Sequence, residues 1–383
     1  MPDISNDYVT RVLAAPSEAD ASAWDALLAR SGGSPFMRHA YLAALHDSGS
    51  AVRETGWSPQ FVTLWEGDEL HAACPLYLKS HSYGEYVFDW AWANAYEEHG
   101  LRYYPKALTA VPFTPVPGPR LLARDDKARA ALVQSVLAWC RRRRVSSWHL
   151  LFGDEADIRA CSDAGLMLRH TVQFHWSNAN YPDFDAFLAS LAQEKRKKIR
   201  QERRKVAEAG VTFRHARGAQ IAAGEWDFFY RCYERTYLEH GNAPYLTRDF
   251  FARMAADMPE DWLLFIAERG GKPIASSLIG LGDAVAYGRY WGALERVDCL
   301  HFEACYYQPL AWCIANGFQR FEGGAQGEHK MARALMPVKT TSAHWLAHPA
   351  FADAVEKFLE REGRGIAGYM EHLEGRSPFR HGD

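Results

Sequence analysis

The two halves of this sequence follow the same pattern of strands and helices, and this repeat constrains the fold more than any other feature. Each half begins with a short alternating run, YVTRVLA at 8–14 and VTFRHA at 211–216. In both halves a helical pattern that opens on Trp-Asp follows, at residues 24–25 and 226–227. Because internal similarity of this kind is the mark of a repeated unit, we infer that one domain was copied.

A β-hairpin is predicted next in each half. The first turns at Gly67-Asp68 and the second at Gly270-Gly271. Glycine at such positions supplies a positive φ without steric cost, and the flanking runs are rich in β-forming residues.

A third strand, a helix and a last strand complete each copy of the pattern. The third strand is predicted at 86–93 in the first half and at 284–293 in the second, and a shared AWC at 138–140 and 311–313 aligns the helices that follow. Mostly antiparallel strands with a crossover helix predict an α+β (mixed α/β) fold, used twice.

The length and composition fit two globular domains. The chain has 383 residues, of which 48% are hydrophobic, so we predict domains at 1–180 and 181–383. Seven cysteines form no C-x-x-C pair, which is typical of reduced thiols in a cytosolic protein. The first residues lack the order of a signal peptide, and no apolar run is long enough for a membrane span. We therefore expect a cytoplasmic protein.

The strongest charge feature is the segment QEKRKKIRQERRKVAEAG at 193–210. Eight Lys or Arg residues lie between Lys195 and Lys205, although the formal net charge of the chain is −3. We expect a helix in which Lys198 pairs with Glu194 and Glu202, and in which the remaining cations bind an anion. The alternative is a solvated helix between two domains.

A second polar segment, FEGGAQGEHK at 321–330, follows the last predicted strand of the second half. Gly323 and Gly324 permit close approach of a ligand to the backbone. A positioned Glu or His next to them could move the protons of an acyl transfer, which typically contributes ~10²–10⁴-fold to the rate. We favour His329 over Glu328, because the ordinary pKa of histidine lies near working pH. The alternative is a solvated polar loop.

Four longer stretches carry a resemblance to a known family. They are LKSHSYGEYVFDWAWANAYEEHGLRYYPK (78–106), VPFTPVPGPRLL (111–122), LHFEACYYQPLAW (300–312) and FEGGAQGEHKMAR (321–333). These stretches resemble a bacterial Fem-type (FemAB-like) family labelled for peptidoglycan biosynthesis or recognition. The strand and helix order resembles the Gcn5-related N-acetyltransferase (GNAT) fold, present twice.

The resemblance implies an acyl- or aminoacyltransferase with an amine acceptor, such as a peptidoglycan precursor or a peptide. It leaves a second reading open, a non-catalytic module that recognises such a ligand. Aminoacyl-tRNA and acyl-CoA are the candidate donors, and tRNA would be held through its backbone phosphates. The positions where acetyl-CoA-dependent members carry a pyrophosphate loop are ANAYEEHG (93–100) and GALERVDCLH (292–301), which lack the required spacing. This departure favours aminoacyl-tRNA as the donor.

The predicted site combines these features. The residues that we predict to be catalytic are His329, Glu328 and Glu322. The residues that we predict to bind substrate are Lys195, Arg196, Lys198, Arg200, Arg203, Gly323, Gly324, Gln326, Lys330, Arg333, Trp92, Tyr96, Tyr104 and Tyr307.

Several of these candidates have a structural alternative. Trp92, Tyr96 and Tyr104 could wall a groove for a sugar or peptide, or they could pack between domains. Near Tyr307, Pro309 is expected to kink or restart its helix, since proline has no N–H to donate. No metal site is predicted, because the histidines at 329, 344 and 348 lack a companion ligand set.

Overall fold

The computed structural model describes residues 8–324 and 327–380 of the chain. Its first half opens with a strand and two helices, as the repeat predicts. In chain order the strands and helices of this half are β1 (Val9–Leu13), α1 (Ala21–Arg30), α2 (His39–Asp47), β2 (Trp57–Pro59), β3 (Phe61–Glu66), β4 (Glu69–Cys74), β5 (Tyr77–Lys79), α3 (Trp90–Glu98), β6 (Lys106–Thr109), β7 (Leu122–Ala123), α4 (Asp126–Arg143), β8 (Ser147–Leu150), α5 (Glu155–Asp163) and β9 (Met167–Ser177).

The second half repeats the order of strand, two helices, hairpin, strand, helix and strand after two additional helices. Its elements are α6 (Phe184–Ser190), α7 (Gln193–Glu208), β10 (Val211–Arg217), α8 (Ala223–Glu239), α9 (Arg248–Asp257), β11 (Trp262–Arg269), β12 (Lys272–Leu281), β13 (Val285–Ala293), α10 (Leu300–Phe302), α11 (Gln308–Ala315), β14 (Arg320–Glu322), β15 (Met336–Leu346) and α12 (Pro349–Glu374). The predicted α+β class, with mostly antiparallel strands, is confirmed.

Both predicted hairpins form, at the predicted turns. Strands β3 and β4 pair antiparallel on either side of Gly67-Asp68, and β11 and β12 do so on either side of Gly270-Gly271. Gly67, Gly270 and Gly271 have the positive φ that tight hairpin turns require, and Asp68 is the fourth turn residue.

The third strand predicted for the first half, at 86–93, is wrong. Residues 80–89 have no regular secondary structure, and α3 begins at Trp90. The alanines and glutamates of WAWANAYEE favour a helix over a strand. The strand that takes the expected place in the sheet is β6, which pairs antiparallel with β5 and parallel with β8.

By their contacts the residues divide into two compact units. Unit 1 is Met1–Thr171 with Lys339–Gly368, and unit 2 is Val172–Val338 with Tyr369–Asp383. Strands β9 and β15 each contribute residues to both units, because each crosses a boundary between them. The domains 1–180 and 181–383 stay a prediction for the two copies of the fold.

Unit 1 contains two groups of paired strands. One has the order β1-β3-β4-β7, and the other has β2-β5-β6-β8 with the end of β15 next to β8. Pro75 lies between β4 and β5 and interrupts what would be one strand, since proline cannot donate to a sheet ladder. Helix α4 covers the strands with Leu132 and Val136, in one core with Trp148.

In unit 2 the strands are ordered β10-β11-β12-β13-β14, with the end of β9 next to β14. Strand β13 pairs antiparallel with β12 and parallel with β14. A β-bulge in β13 leaves Arg289 as the extra residue, because Leu278 pairs with Tyr290 while Ile279 pairs with Gly288. Bulges of this kind re-aim side chains and are common next to active sites.

Within residues 8–324 and 327–380, the helices are all too short or too polar to cross a membrane.

The close packing of β13 on α8 predicts a strong effect at one glycine. A Cβ atom added at Gly292 would lie 1.9 Å from the Cys232 carbonyl oxygen of α8. We expect Gly292→Ala to lower the free energy of unfolding by about 3 kcal/mol, the upper end of the usual cost of overpacking. Denaturation in urea measures this change. Gly224→Ala in the same helix is the matched control, since nothing lies within 4 Å of its Cβ. Equal stability of the two variants would contradict this packing.

Candidate active site

Strands β13 and β14 run side by side for three residue pairs and then separate. The pairs are Val285 with Arg320, Ala286 with Phe321 and Tyr287 with Glu322. Strand β14 ends at Glu322, whereas β13 continues to Ala293. A cavity of about 140 Å³ lies where they part, and its lining includes Gly288, Arg289, Tyr290, His301, Tyr306 and Gly323. The predicted polar segment thus begins at the mouth of a cavity between two strands.

Packing requires the first glycine after β14, and the backbone conformation requires the second. A Cβ atom at Gly323 would lie 2.5 Å from Cδ2 of Leu335, and Gly324 has a φ of +83°. The side chain of Lys330 folds back over them, and its Nζ donates to the Gly324 carbonyl oxygen at 3.0 Å. Gly323 still lines the cavity, so its predicted role in ligand approach remains open to test.

Burial makes Lys330 an unusual lysine. Its side chain is almost fully buried, and this lowers its pKa to about 8. An ammonium group in such a setting can donate hydrogen bonds to a developing oxyanion without competition from bulk water.

A short 3-10 helix, Glu328–Arg333, carries the other residues of the predicted loop. The Glu328 carboxylate is exposed and accepts hydrogen bonds from the Tyr369 hydroxyl at 2.8 Å and from Arg376 at 3.1 Å. The Tyr369 hydroxyl, with the Arg376 charge, lowers the pKa of Glu328. This carboxylate is therefore ionised and engaged in surface contacts.

His329 is exposed and lies near two aromatic rings, of which that of Tyr306 lines the cavity. Its ring centroid is 6.4 Å from that of Tyr306 and 6.3 Å from that of Phe302. Partial burial lowers the pKa of His329, and the charges of Arg333 and Lys330 act in the same direction. The imidazole is neutral at pH 7 and can accept a proton.

Arg333 and Tyr307 make internal contacts. Both bind Glu202 of α7: Arg333 Nη2 lies 3.1 and 3.0 Å from the two carboxylate oxygens, and the Tyr307 hydroxyl donates to one of them. The Arg333 guanidinium also lies 3.5 Å from the centroid of the Phe302 ring. The expected pairing of Glu202 with Lys198 is wrong, because Glu202 is on the buried face of the helix with Ile199 and Val206.

The cations of α7 line two different concavities. Lys195 lies at a cleft of about 510 Å³, together with Glu328, His329 and Arg376. Arg200, Arg203 and Arg204 line a second cavity of about 440 Å³, together with Glu303 and Gln308. Arg203 is held there by an ion pair with Glu303 at 3.2 Å.

The other two predicted binding residues of α7 differ in their surroundings. Arg196 points back along the chain and lies 3.5 Å from the Ala189 carbonyl oxygen, and Lys198 is exposed.

Glu322 lies on the other face of β14 from the cavity. The cavity lining includes Phe321 and Gly323, and alternation along a strand directs the side chain between them to the opposite side. There its carboxylate is 3.0 Å from Arg320 Nε and 3.9 Å from His175 Nδ1. Burial raises the pKa of Glu322 to about 7.

His301 lines the cavity more directly than any residue that we ranked as catalytic. Its ring lies against Trp291 and Tyr306, with centroids 5.5 and 5.8 Å away. Desolvation by the surrounding side chains lowers the pKa of His301 to about 4, although the residue is partly exposed, so the ring is neutral. His301 was not singled out in the sequence analysis, because its neighbour Trp291 comes from another element.

The helix after His301 has the irregularity that Pro309 predicts. Residues Glu303–Tyr307 form a π-helical turn, and an α-helix restarts at Gln308. This wider turn carries Tyr306 into the cavity wall, in keeping with the frequent use of π-turns at functional sites.

The aromatic candidates of the first half are mainly packed inside unit 1. Trp92 and Tyr96 are buried in a cluster with Leu346 and Leu359. Tyr104 is half-buried, and its hydroxyl is 2.8 Å from the Ser82 hydroxyl. They pack within unit 1, so neither the predicted groove nor the predicted packing between domains is tested by these contacts.

The remaining candidates can be placed briefly. Gln326 lies outside the described residues. In the described part of the chain, no three His, Cys, Asp or Glu side chains are grouped in a way that could hold a metal ion. His344 is buried against His149, with 2.7 Å between their Nδ1 atoms, and His348 packs against Phe351.

The contact of Glu202 with Arg333 fixes the loop on α7 and predicts a large effect on stability. Glu202→Gln would leave the Arg333 charge buried without its carboxylate, a loss of about 3–5 kcal/mol. Chemical denaturation measures it. Glu208→Gln on the same helix is the control, because Glu208 is exposed. A loss below about 1 kcal/mol would show that the loop is held by other contacts.

Solved structures of similar fold cover nearly the whole chain. L-PGS from Bacillus licheniformis has a TM-score of 0.56 at 11% identity, covering 89% of this chain and 97% of that chain. The C-terminal domain of a putative lysylphosphatidylglycerol synthetase from Agrobacterium fabrum has a TM-score of 0.55 at 11% identity, covering 89% and 96%. FemX has a TM-score of 0.54 at 10% identity, covering 88% and 98%. At these identities the likeness concerns the fold alone.

No curated protein matches the sequence. A family model does: the FemAB-like model, described as peptidoglycan biosynthesis/recognition, matches residues 15–381. The match spans nearly the whole chain and includes both the separated strands of unit 2 and the loop that follows them. The resemblance inferred from the motifs is confirmed, and the chain belongs to the FemAB-like family.

Proposed function

We propose that this protein is an acyl- or aminoacyltransferase with an amine acceptor, and that the reaction takes place where β13 and β14 separate. The observation that carries the proposal is the cavity at this point, with neutral imidazoles and a buried lysine beside it. His301 and Tyr306 line the cavity, and the Lys330 side chain passes behind Gly323. These groups supply the proton acceptor and the hydrogen-bond donor that acyl transfer requires.

The chemistry follows from the charge states of these groups. A neutral amine attacks the carbonyl carbon of the donor ester, and a tetrahedral oxyanion forms. His329, neutral at pH 7, accepts the proton that the amine loses, while the Lys330 ammonium stabilises the oxyanion. The proton then passes to the departing oxygen as the carbon–oxygen bond breaks. Burial lowers the pKa of His329 and so favours the neutral imidazole, whereas Lys330, whose pKa burial lowers to about 8, still carries its proton at pH 7.

The local structure supports aminoacyl-tRNA over acyl-CoA as the donor. In acyl-CoA sites, free amides at a helix N-terminus hold the pyrophosphate. Here the N–H groups of Leu300, Phe302 and Glu303 already donate to carbonyl oxygens of Val297 and Cys299. Three arginines of α7 instead line a second cavity together with Asp185 and Glu303; Arg203 pairs with Glu303, and the guanidinium groups of Arg200 and Arg204 suit backbone phosphates.

For the acceptor we propose a peptidoglycan precursor or a peptide, on the basis of the family. The cleft at Lys195 and His329 is open enough, at about 510 Å³, for the amine-bearing part of such a molecule. Glu328, Arg333 and Tyr307 are all engaged in contacts with other side chains of the protein. This favours the other reading, in which the cleft binds its ligand without turnover.

A direct assay separates the two readings. The full chain is incubated with aminoacyl-tRNA or acyl-CoA and a mixture of muropeptides and peptides, and products are detected by mass. We expect a product whose mass has increased by one acyl or aminoacyl group. Binding of the acceptor without product from either donor would contradict the transferase and support recognition alone.

The base is tested by replacing its imidazole. We expect His329→Ala to lower turnover by ~10²–10⁴-fold with little change in acceptor affinity, since only the proton transfer is removed. His348→Ala is the control, because this exposed histidine lies in unit 1. Full turnover of His329→Ala would assign the proton transfer to another group, with His301 as the next to test.

From the arginines of the 440 Å³ cavity we predict where the protein binds a nucleic-acid backbone. We expect the double variant Arg200→Glu, Arg204→Glu to bind tRNA more weakly and to lower the slope of log affinity against log salt by about 2. Lys197→Glu on the same helix is the control, since Lys197 is exposed and lines neither concavity. An unchanged salt dependence would remove this cavity from the donor site.

A further inference from the structure

The segment 80–89 of unit 1 buries its charged side chains and exposes its aromatic ones. Glu85 and Asp89 are almost fully buried. Tyr83, which precedes them, and Phe88, which lies between them, are 60% and 50% exposed. Soluble proteins ordinarily arrange such residues the other way round, because burying a charge is costly and burying a ring is favourable. An inverted arrangement therefore calls for an explanation.

The buried carboxylates contact a lysine on the sheet beneath. Lys106 Nζ lies 2.7 Å from Glu85 Oε2 and 2.7 Å from the Ser82 hydroxyl, and it also donates to the Asp89 carboxylate. One oxygen of each carboxylate, Glu85 Oε1 and Asp89 Oδ1, has no hydrogen-bond partner among the described residues.

A second lysine lies directly opposite on the neighbouring strand. Lys79 of β5 and Lys106 of β6 are cross-strand partners, and both are fully buried. Lys79 makes no ion pair within 4 Å in the described residues; its Nζ lies 3.7 Å from the Trp57 ring centroid and donates to the Tyr83 carbonyl oxygen. Two like charges opposite each other destabilise a sheet unless an anion lies between them. Here Glu85 and Asp89 both pair with Lys106, and burial lowers the pKa of Lys79 to about 7, which weakens the repulsion.

A row of neutral hydrogen-bonding groups continues the surface behind the lysines. The Tyr103 hydroxyl donates to Asp89 Oδ2 at 2.5 Å, and His149 Nε2 is 3.1 Å from the same hydroxyl. His344 follows, and its Nε2 has no partner among the described residues. Burial lowers the pKa of His149 to about 3, so the positive charge of this surface comes from the lysines.

The segment has no strand or helix of its own to hold it in place. Lys106 binds side chains of the segment. The groups that bind its backbone include Arg169, which donates to the Phe88 carbonyl oxygen at 2.6 Å, and the Phe113 N–H, which donates to the Gly84 carbonyl oxygen at 3.2 Å. The segment also buries Val87, but the contacts of its two carboxylates are ionic and hydrogen-bonded, and a competing anion can displace such contacts.

We propose that Lys79 and Lys106 form an anion-binding site in unit 1, which Glu85 and Asp89 occupy in this structure and which a ligand with a carboxylate or phosphate group occupies when the segment 80–89 lifts. The ligand anion replaces the internal carboxylates on the Lys106 ammonium, and its charge favours the protonated form of Lys79 on the neighbouring strand. Tyr103 then donates its hydroxyl to the ligand. The site belongs to unit 1 and does not depend on the transferase chemistry proposed for unit 2.

Hydrogen–deuterium exchange on the full chain tests this site. Uptake is compared in sodium chloride, sodium phosphate and sodium acetate at equal ionic strength. We expect residues 80–89 to exchange at least about threefold faster in phosphate or in acetate than in chloride, since the anion displaces the segment. The hairpin at 61–74 is the internal control and keeps its rate. A response to phosphate alone assigns a phosphate ligand, and a response to acetate alone assigns a carboxylate. The same rate in all three salts overturns the proposal.

A variant tests the role of the internal carboxylate. Asp89→Asn removes one competing charge, so we expect a phosphate or acetate concentration at least about tenfold lower to give the same opening. Glu97→Gln, an exposed carboxylate on α3, is the control. An unchanged concentration dependence in Asp89→Asn would overturn the exchange of anions. If that variant does not fold, the salt comparison on the unaltered chain remains decisive.

Discussion

The arrangement of unit 2 depends on a parallel strand pairing that lasts for three residues. Strand β14 stops at Glu322, and β13 continues alone past a bulge at Arg289. Because the backbone groups of the two strands no longer meet there, a cavity forms inside an otherwise continuous sheet. The helix that packs over this point supplies His301 and Tyr306, and the loop after β14 supplies His329 and Lys330.

Buried charges hold the loop and the basic helix together. Glu202 accepts from Arg333 and Tyr307, so the same carboxylate fixes α7 and the end of the loop. Lys195 and the three arginines Arg200, Arg203 and Arg204 line two separate concavities of this helix. Helix α7 thus packs on the core through Ile199 and Val206, binds the loop through the inward Glu202, and directs most of its cations outward.

Much of the fold could be predicted from local patterns. The hairpins, the basic helix and the irregular helix before Pro309 follow from turn glycines, charge spacing and the missing proline N–H, each of which acts within a few residues. The strand expected at 86–93 was wrong, because alanine and glutamate there favour a helix and the sheet position passes to β6. The position of β6 in the sheet depends on its pairing with β8, which lies about forty residues after β6 in the chain.

The candidate site was less predictable for the same reason. The loop, its glycines and His329 were found from sequence, but the partners of Glu202 and Glu328 come from elements 41 to 131 residues away. His301 gains its position from Trp291 on a strand. Such contacts are set by tertiary packing and leave no local pattern. The facing lysines Lys79 and Lys106 of unit 1 were missed, because their pairing depends on β6 and the sequence analysis predicted a strand at 86–93 instead.

The most direct test of the central claim is the position of a bound donor. A crystal structure with a stable analogue of an aminoacyl-tRNA 3′ end would show its carbonyl carbon. The account predicts that this atom lies between β13 and β14, with its oxygen directed to Lys330 and about 3–3.5 Å from the attacking amine of a bound acceptor. A donor bound in unit 1, or on a face of unit 2 away from the separated strands, would contradict it.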